Sequence, residues 1–257
     1  MFQRLAPGVM PLSVAEGIAN GVPDVIACVR YQIRHGAKLI KVSASGGVMS
    51  HSTAPGAQQY SDAEFAAIAD EAHRAGVRVA AHAVGDGAIR ACIRAGIDCI
   101  EHGFLATDET IQMMVDTGTF LVSTTYLTEA MAVDRIAPEL RKKAQEVFPR
   151  AQAMLPKAIA AGVRIACGTD APAIPHGQNA KELCALVERG MSPMEAIRAA
   201  TVTSAELIEA DDELGRLAAG YLADIVAVPG DVSRDIAGTL DVCFVMKDGR
   251  VYKHDRG

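Results

Sequence analysis

Residues 77–102 read Val77-Arg-Val-Ala-Ala-His-Ala-Val-Gly-Asp-Gly-Ala-Ile-Arg-Ala-Cys-Ile-Arg-Ala-Gly-Ile-Asp-Cys-Ile-Glu-His102. Positions 77–82 form a short, apolar, β-rich run that closes on His82, and 97–101 form a second one that leads into His102. Between them, 86–95 is a helix-like segment with short connections on both sides. The unit is strand, helix, strand, and the two histidines lie 20 positions apart, one short βα repeat. Strands joined by so compact a crossover run parallel, which puts both histidines on neighbouring strands at the same end of the sheet.

The same rhythm extends in both directions. Toward the N-terminus, strand 37–43 contains Lys38-Leu-Ile-Lys-Val and so Lys41. It follows a helix that begins at Ser13-Val-Ala-Glu or at Pro23-Asp-Val-Ile, runs to about Arg34, and is stopped by His35-Gly36. A Gly-, Ser- and Pro-rich loop spans Ser45 to Tyr60, and Ser61-Asp-Ala-Glu has the form of a capping box that opens a helix to His73. Toward the C-terminus come helix 107–116, strand 119–124, a helix near 138–161, and strand 163–168 in Val163-Arg-Ile-Ala-Cys-Gly-Thr-Asp170. Helices near 178–189 and 193–208 close the series, the second starting at Ser192-Pro193. Lys41, His82, His102 and Asp170 thus all fall where a buried strand passes into a loop, which is where a (β/α) barrel keeps its chemistry. After Asp212 the pattern changes to short apolar strands, Ile225-Val-Ala-Val, Val242-Cys-Phe-Val-Met and Arg250-Val-Tyr, with a hairpin turn at Lys247-Asp-Gly-Arg. We therefore expect an α/β fold with a (β/α) domain over 1–212 and appended strands over 213–257. The chain supplies five βα repeats where a complete barrel has eight strands. Two readings follow: an N-terminal part of a barrel is absent, or the chain forms an open five-stranded parallel sheet.

Composition sets the class. The 257 residues are 50% hydrophobic and 22% charged, enough for one large core, and the net charge of −6 gives no basic footprint for nucleic acid or anionic membranes. Small molecules are the expected partners. No apolar run approaches the ~20 residues of a membrane span, and the first residues lack the features of a signal peptide. Six cysteines, at 28, 92, 99, 167, 184 and 243, show neither CxxC nor framework spacing and mostly sit in apolar surroundings, so free thiols in a reducing, cytoplasmic setting are expected.

Several stretches carry a resemblance: Lys41-Val-Ser-Ala-Ser-Gly-Gly-Val-Met-Ser, Val79-Ala-Ala-His-Ala-Val-Gly, Ile100-Glu-His-Gly, Cys167-Gly-Thr-Asp-Ala-Pro, Pro175-His-Gly and Gly220-Tyr-Leu-Ala-Asp-Ile-Val-Ala-Val. In this order they resemble the amidohydrolase superfamily of metal-dependent hydrolases, and within it the prolidase-like and imidazolonepropionase-related branch. The resemblance implies a partial TIM barrel, about strands four to eight, plus C-terminal strands of a small β-sandwich. It implies hydrolysis of amide or peptide C–N bonds in dipeptides or N-acyl amino acids, with zinc as the expected divalent metal. By the same resemblance Lys41 is the strand-four lysine, carboxylated so that it bridges two ions, because an ammonium has no lone pair. His82 and His102 become ligands of the second ion, and Asp170 a ligand of the first and the general base. Tyr60 and His176 become substrate contacts, with Tyr60 also facing the scissile carbonyl.

The pattern departs from the family in one respect. The first ion's two main ligands come from a His-x-His motif, and this chain has none; its other histidines are at 35, 51, 73, 176 and 254. The expectation is at best one tightly bound ion, and a binuclear centre only with a complementing N-terminal segment or a partner subunit in a homo-oligomer. Two other readings stay open: a barrel lyase or aldolase using Lys41 as a Schiff-base amine, and an inert fragment or subunit that associates through its uncovered strands. His51 is a candidate substrate-facing loop residue, His73 a helix-end cation, and Gly46-Gly47 a turn that lets the backbone pass closely.

Overall fold

The computed structural model describes residues 13–50, 54–131 and 136–255. His51 lies outside the described residues. A single 3-10 turn at Val14–Glu16, capped by Ser13, precedes α1 (Val22–Arg34), so Ser13 and Pro23 open separate elements. Then follow β1 (Leu39–Ser43), α2 (Asp62–Arg74), β2 (Arg78–Ala83), α3 (Asp86–Arg94), β3 (Cys99–His102), α4 (Asp108–Thr117) and β4 (Phe120–Val122). The chain continues through α5 (Leu127–Ala130), α6 (Pro138–Ala161), β5 (Ile165–Ala166), α7 (Ala180–Glu188), α8 (Pro193–Ala200) and α9 (Val202–Leu207). Local chemistry sets these boundaries. At Ser61 the hydroxyl accepts the Glu64 N–H at 3.3 Å while the Glu64 carboxylate accepts the Ser61 N–H at 2.7 Å, and Ser192 with Glu195 repeats the arrangement. Gly76 and Gly96, at φ 69° and 81°, end α2 and α3 in the left-handed region and turn the chain into the next strand.

One expected helix is divided. The segment 193–208 breaks at Thr201, with φ −124° and ψ −87°, into α8 and α9. The break serves β5, which is only two residues long: the next N–H, of Cys167, donates to Ala199 O at 3.1 Å, with the Ser204 hydroxyl at 3.3 Å. A continuous helix would keep the Ala199 carbonyl for itself.

Strands β1 to β5 pair in sequence order and all in parallel. Register and the two-residue period place Lys41, Ser43, Ala80, His82, Cys99, Glu101, Phe120 and Val122 on one face, and Ile40, Val42, Val79, Ala81, Ile100, Leu121 and Ile165 on the other. The second face builds the main core with Val29 of α1, Phe65 and Ile68 of α2, Ile89 of α3, Met114 of α4 and Leu155 of α6. Parallel strands in sequence order with crossover helices on a single side form consecutive strands of a (β/α) barrel. At its lower end the inner face is filled by Leu207 of α9, which meets Ala80, Cys99, Phe120 and Ala166. There the Arg78 guanidinium donates to the Glu206 and Leu207 carbonyls at 2.8 and 3.0 Å, and the Arg164 guanidinium lies 3.9 Å from the centre of the Phe120 ring.

A separate antiparallel sheet contains β6 (Ile225–Ala227), β7 (Phe244–Lys247) and β8 (Arg250–His254). Its hairpin turns on Asp248-Gly249, both left-handed at φ 49° and 71°, as the Asp-Gly pair demands. All six cysteines are free, with Cys92 and Cys99 buried. No helix among the described residues is long and apolar enough to cross a membrane.

Candidate metal centre

Polar side chains collect at the C-terminal ends of the five parallel strands. The strand period alone brings Lys41, His82 and Glu101 to one face, since Ser43 pairs with His82 and His82 with Glu101 in register. His102 follows Glu101 and by alternation belongs on the helix-covered face. A left-handed backbone at His102, φ 71°, redirects it instead. Its ring ends 4.7 Å from that of His82, edge to face. Thr124 and Asp170, at the ends of β4 and β5, are also left-handed, at φ 47° and 56°. Such conformations cost non-glycine residues of order 1–3 kcal/mol each and persist where surrounding contacts fix them. Three such conformations follow one another at neighbouring strand ends, on the edge where Lys41, His82 and Glu101 also gather.

Both imidazoles are neutral at ordinary pH. Burial, then the charge of Lys41, pushes His82 down to about 4. Burial, then His82 and Lys41, pushes His102 down to about 3. Each ring therefore keeps one lone pair at neutrality, as a metal ligand requires. The His102 Nδ1 lies 2.8 Å from the Thr124 hydroxyl. Over His82 passes the loop after β1: a Cβ on Gly47 would sit 3.1 Å from both Cε1 and Nε2 of the ring. The close passage expected for Gly46-Gly47 is thus made over a histidine.

Lys41 is exposed and forms an ion pair with Glu101 across β2. Its charge also reaches Asp170, whose carboxyl is raised from its ordinary value by lost hydration, with Lys41 opposing and Glu101 adding to the rise. Lys41, His82, His102 and Asp170 therefore share one electrostatic environment. Tyr60 meets this group only on the Lys41 side. Its ring packs 5.7 Å from Phe65, and it lines a cavity of about 280 Å³ with Cys28, Val29, Lys41 and Ser43 at the β1 edge. Burial raises its hydroxyl first, then Cys28 and Glu64. Among the described residues no hydrogen bond or ring contact joins Tyr60 or His176 to His82, His102 or Asp170, and His176 is exposed. His73, at the end of α2, bonds Asp98 at 2.8 Å instead of serving only the helix dipole.

Among the described residues no group of three or more His, Cys, Asp or Glu side chains is placed to hold a metal. The two adjacent neutral imidazoles fit a divalent ion, and a third donor must be of another type. Lys41 meets that need only when its amine is carboxylated, since an ammonium offers protons and no lone pair. Glu101, Thr124 and Gly47 received no such role from sequence. For Glu101 the signal was present: a carboxylate one position before a strand-end histidine alternates onto the face of Lys41 and His82.

A sheet of this topology, with ionisable groups gathered at the strand C-termini and two neutral histidines in contact, defines a barrel-type enzyme scaffold with a candidate metal centre. The chain belongs to the amidohydrolase family, whose sequence profile matches residues 4–252. It is 38% identical to the ochratoxinase of Aspergillus niger over 244 residues, covering 92% of this chain and 50% of that protein. Among solved structures it superposes on a Xaa-Pro dipeptidase with bound methionine in the active site at a TM-score of 0.90 and 36% identity, covering 94% of this chain and 61% of that one. A prolidase complexed with N-methylphosphonate-L-proline gives a TM-score of 0.87 and 33% identity, covering 92% of this chain and 60% of that one. The chain spans about half the length of the curated relatives it matches.

Proposed function

We propose that this chain carries one half of a hydrolytic metal centre for amide or peptide C–N bonds, with dipeptides or N-acyl amino acids as the substrate class. The observation that carries this reading is the contact pair of neutral imidazoles, His82 and His102, beside Lys41 and Asp170. The relatives named ochratoxinase, Xaa-Pro dipeptidase and prolidase support it. His82, His102 and a carboxylated Lys41 would hold a divalent ion, zinc in this reading. When bound, the ion supplies Lewis acidity that activates water and polarises the scissile carbonyl. Asp170 serves as general base: its carboxylate takes the proton from the attacking water and returns it to the leaving nitrogen. Glu101 holds the Lys41 side chain toward the sheet face until the amine is modified. Tyr60 and His176 are assigned to substrate, Tyr60 from the cavity it shares with Lys41.

Metal analysis of the purified chain, dialysed against zinc and bicarbonate, tests the reading. The expected result is about one zinc per chain, lost in Lys41→Ala, His82→Ala and His102→Ala. A wild-type chain that retains no zinc, or trapping of a carbonyl substrate on Lys41 by borohydride, would overturn it. Hydrolysis of a Xaa-Pro dipeptide and an N-acyl amino acid, with and without an added N-terminal segment of the family, measures how far this chain acts alone.

A further inference from the structure

Glu182, in the first turn of α7, is only 1% exposed and is the single buried carboxyl among the described residues. It reaches the loop after β4. One carboxylate oxygen accepts the Thr125 N–H at 2.7 Å and the other accepts the Tyr126 N–H at 2.8 Å, with the Ser123 hydroxyl 3.5 Å from the first. Two successive N–H groups are thus gripped by one side chain, immediately after Thr124. Thr124 itself is left-handed, a conformation a β-branched residue rarely keeps.

The Thr124 hydroxyl has one proton. It donates that proton to Ser123 O at 2.8 Å. Toward His102 Nδ1, also at 2.8 Å, the same oxygen can then only accept. The ring must supply the proton, so Nδ1 carries hydrogen and Nε2 carries the lone pair.

The geometry points to Glu182 and Thr124 as positioning residues: Glu182 clamps the Thr125 and Tyr126 amides, which holds Thr124 left-handed, and the Thr124 hydroxyl fixes His102 as the Nδ1–H tautomer with Nε2 free for a divalent ion. The role of that free nitrogen rests on the metal reading above, whereas the tautomer is measured with no metal present. A general packing role for Glu182 would leave the tautomer unmoved in a folded variant.

The test is long-range proton–nitrogen NMR on metal-free protein labelled at histidine, at about pH 8, above the value of about 7 to which burial raises Glu182. Wild type is expected to show one His102 species protonated at Nδ1. Glu182→Gln keeps the shape but turns its amide NH2, a donor, toward one of the two N–H groups, and is expected to give mixed His102 tautomers while the His73 signals stay fixed. Thr124→Val removes the hydroxyl with little change of shape and is expected to do the same, and Thr124→Ser to restore the wild-type tautomer. Zinc affinity of the first two is expected to fall about 10–100-fold, as for other outer partners of ligating histidines. A single Nδ1–H species in both Glu182→Gln and Thr124→Val, or an Nε2–H species in wild type, overturns the proposal. If Glu182→Gln does not fold, the Thr124→Val and Thr124→Ser pair decides it. Tautomers that shift as expected in a chain that takes up no zinc would uphold the positioning role and sink the metal reading alone.

Discussion

His82 owes its setting to a neighbour without a side chain. A methyl on Gly47 would press on two atoms of the His82 ring at 3.1 Å, so the ring or the loop must yield by a few tenths of an ångström. Gly47→Ala is expected to cost about 1 kcal/mol, the low end of overpacking, and to weaken zinc binding through the displaced ring; denaturant unfolding and metal titration measure the two effects. Removing a ligand acts differently. His82→Ala and His102→Ala are each expected to lower zinc affinity by more than about 100-fold, beyond the range typical of outer partners, in the same titration. At this scale sequence went part of the way. That Lys41, His82, His102 and Asp170 lie in or just after parallel strands of one sheet was legible from the apolar runs that lead to each. The inward turn of His102 was not, since alternation assigns it to the opposite face and only its φ of 71° reverses that. The clamp of Glu182 on residues 125 and 126 was equally hidden, because nothing local links positions some 57 apart.

Elements behave as their end signals dictate. Ser61→Ala removes the hydroxyl that caps Glu64 N–H and is expected to destabilise the chain by about 1 kcal/mol, read from a shift in denaturant midpoint; Ser61→Asp, which keeps a capping oxygen, is expected to recover most of it. The helices, the hairpin at Asp248-Gly249 and the strands were readable from periodicity and turn chemistry. The break at Thr201 was not, because its cause is the unmet N–H of Cys167 on another element. The junction of α7 with the β4 loop also predicts a pH dependence. Burial raises Glu182 to about 7, against the pull of the Tyr126, Thr125 and Ser123 hydrogen bonds. A carboxyl raised on folding favours the folded state most at low pH, so its contribution is complete below about 4.5, its ordinary value, and is lost as pH rises through about 7. The stability of wild type minus that of Glu182→Gln is therefore expected to fall across this window by about 3 kcal/mol at 1.36 kcal/mol per unit. Urea melts of both proteins at matched pH give the difference, and a flat profile would contradict it.

As a whole, the described residues cover one side of the five-stranded sheet with helices and leave the strand ends of the other side partly exposed. Helices cover the outer face, while among the described residues β1 pairs with β2 alone and shows Leu39 at 46% exposure. The three-stranded sheet likewise shows Val226 at 61% and Tyr252 at 63%. Edges of this kind pair with other chains. Light scattering over a concentration series is expected to show association, and Leu39→Lys to reduce it; a strictly monomeric wild type would argue against such pairing. The barrel character of the sheet was legible from five βα repeats, and the division into a helix-covered and a partly exposed face follows from a strand period that sequence displays plainly.

The partly exposed face has an electrostatic consequence. Lys41 and Glu101 meet with side chains 47% and 25% exposed; two unit charges 4 Å apart attract by about 1 kcal/mol in bulk water and by about 4 kcal/mol at the effective dielectric of 20 typical near a protein surface, so contact with water sets where the pair falls between them. Laying a wall against this face would strengthen every charge–charge interaction at the strand ends together. The acid–base character of the centre is thereby adjustable from a distance, by insulation, with no change in the residues that compose it.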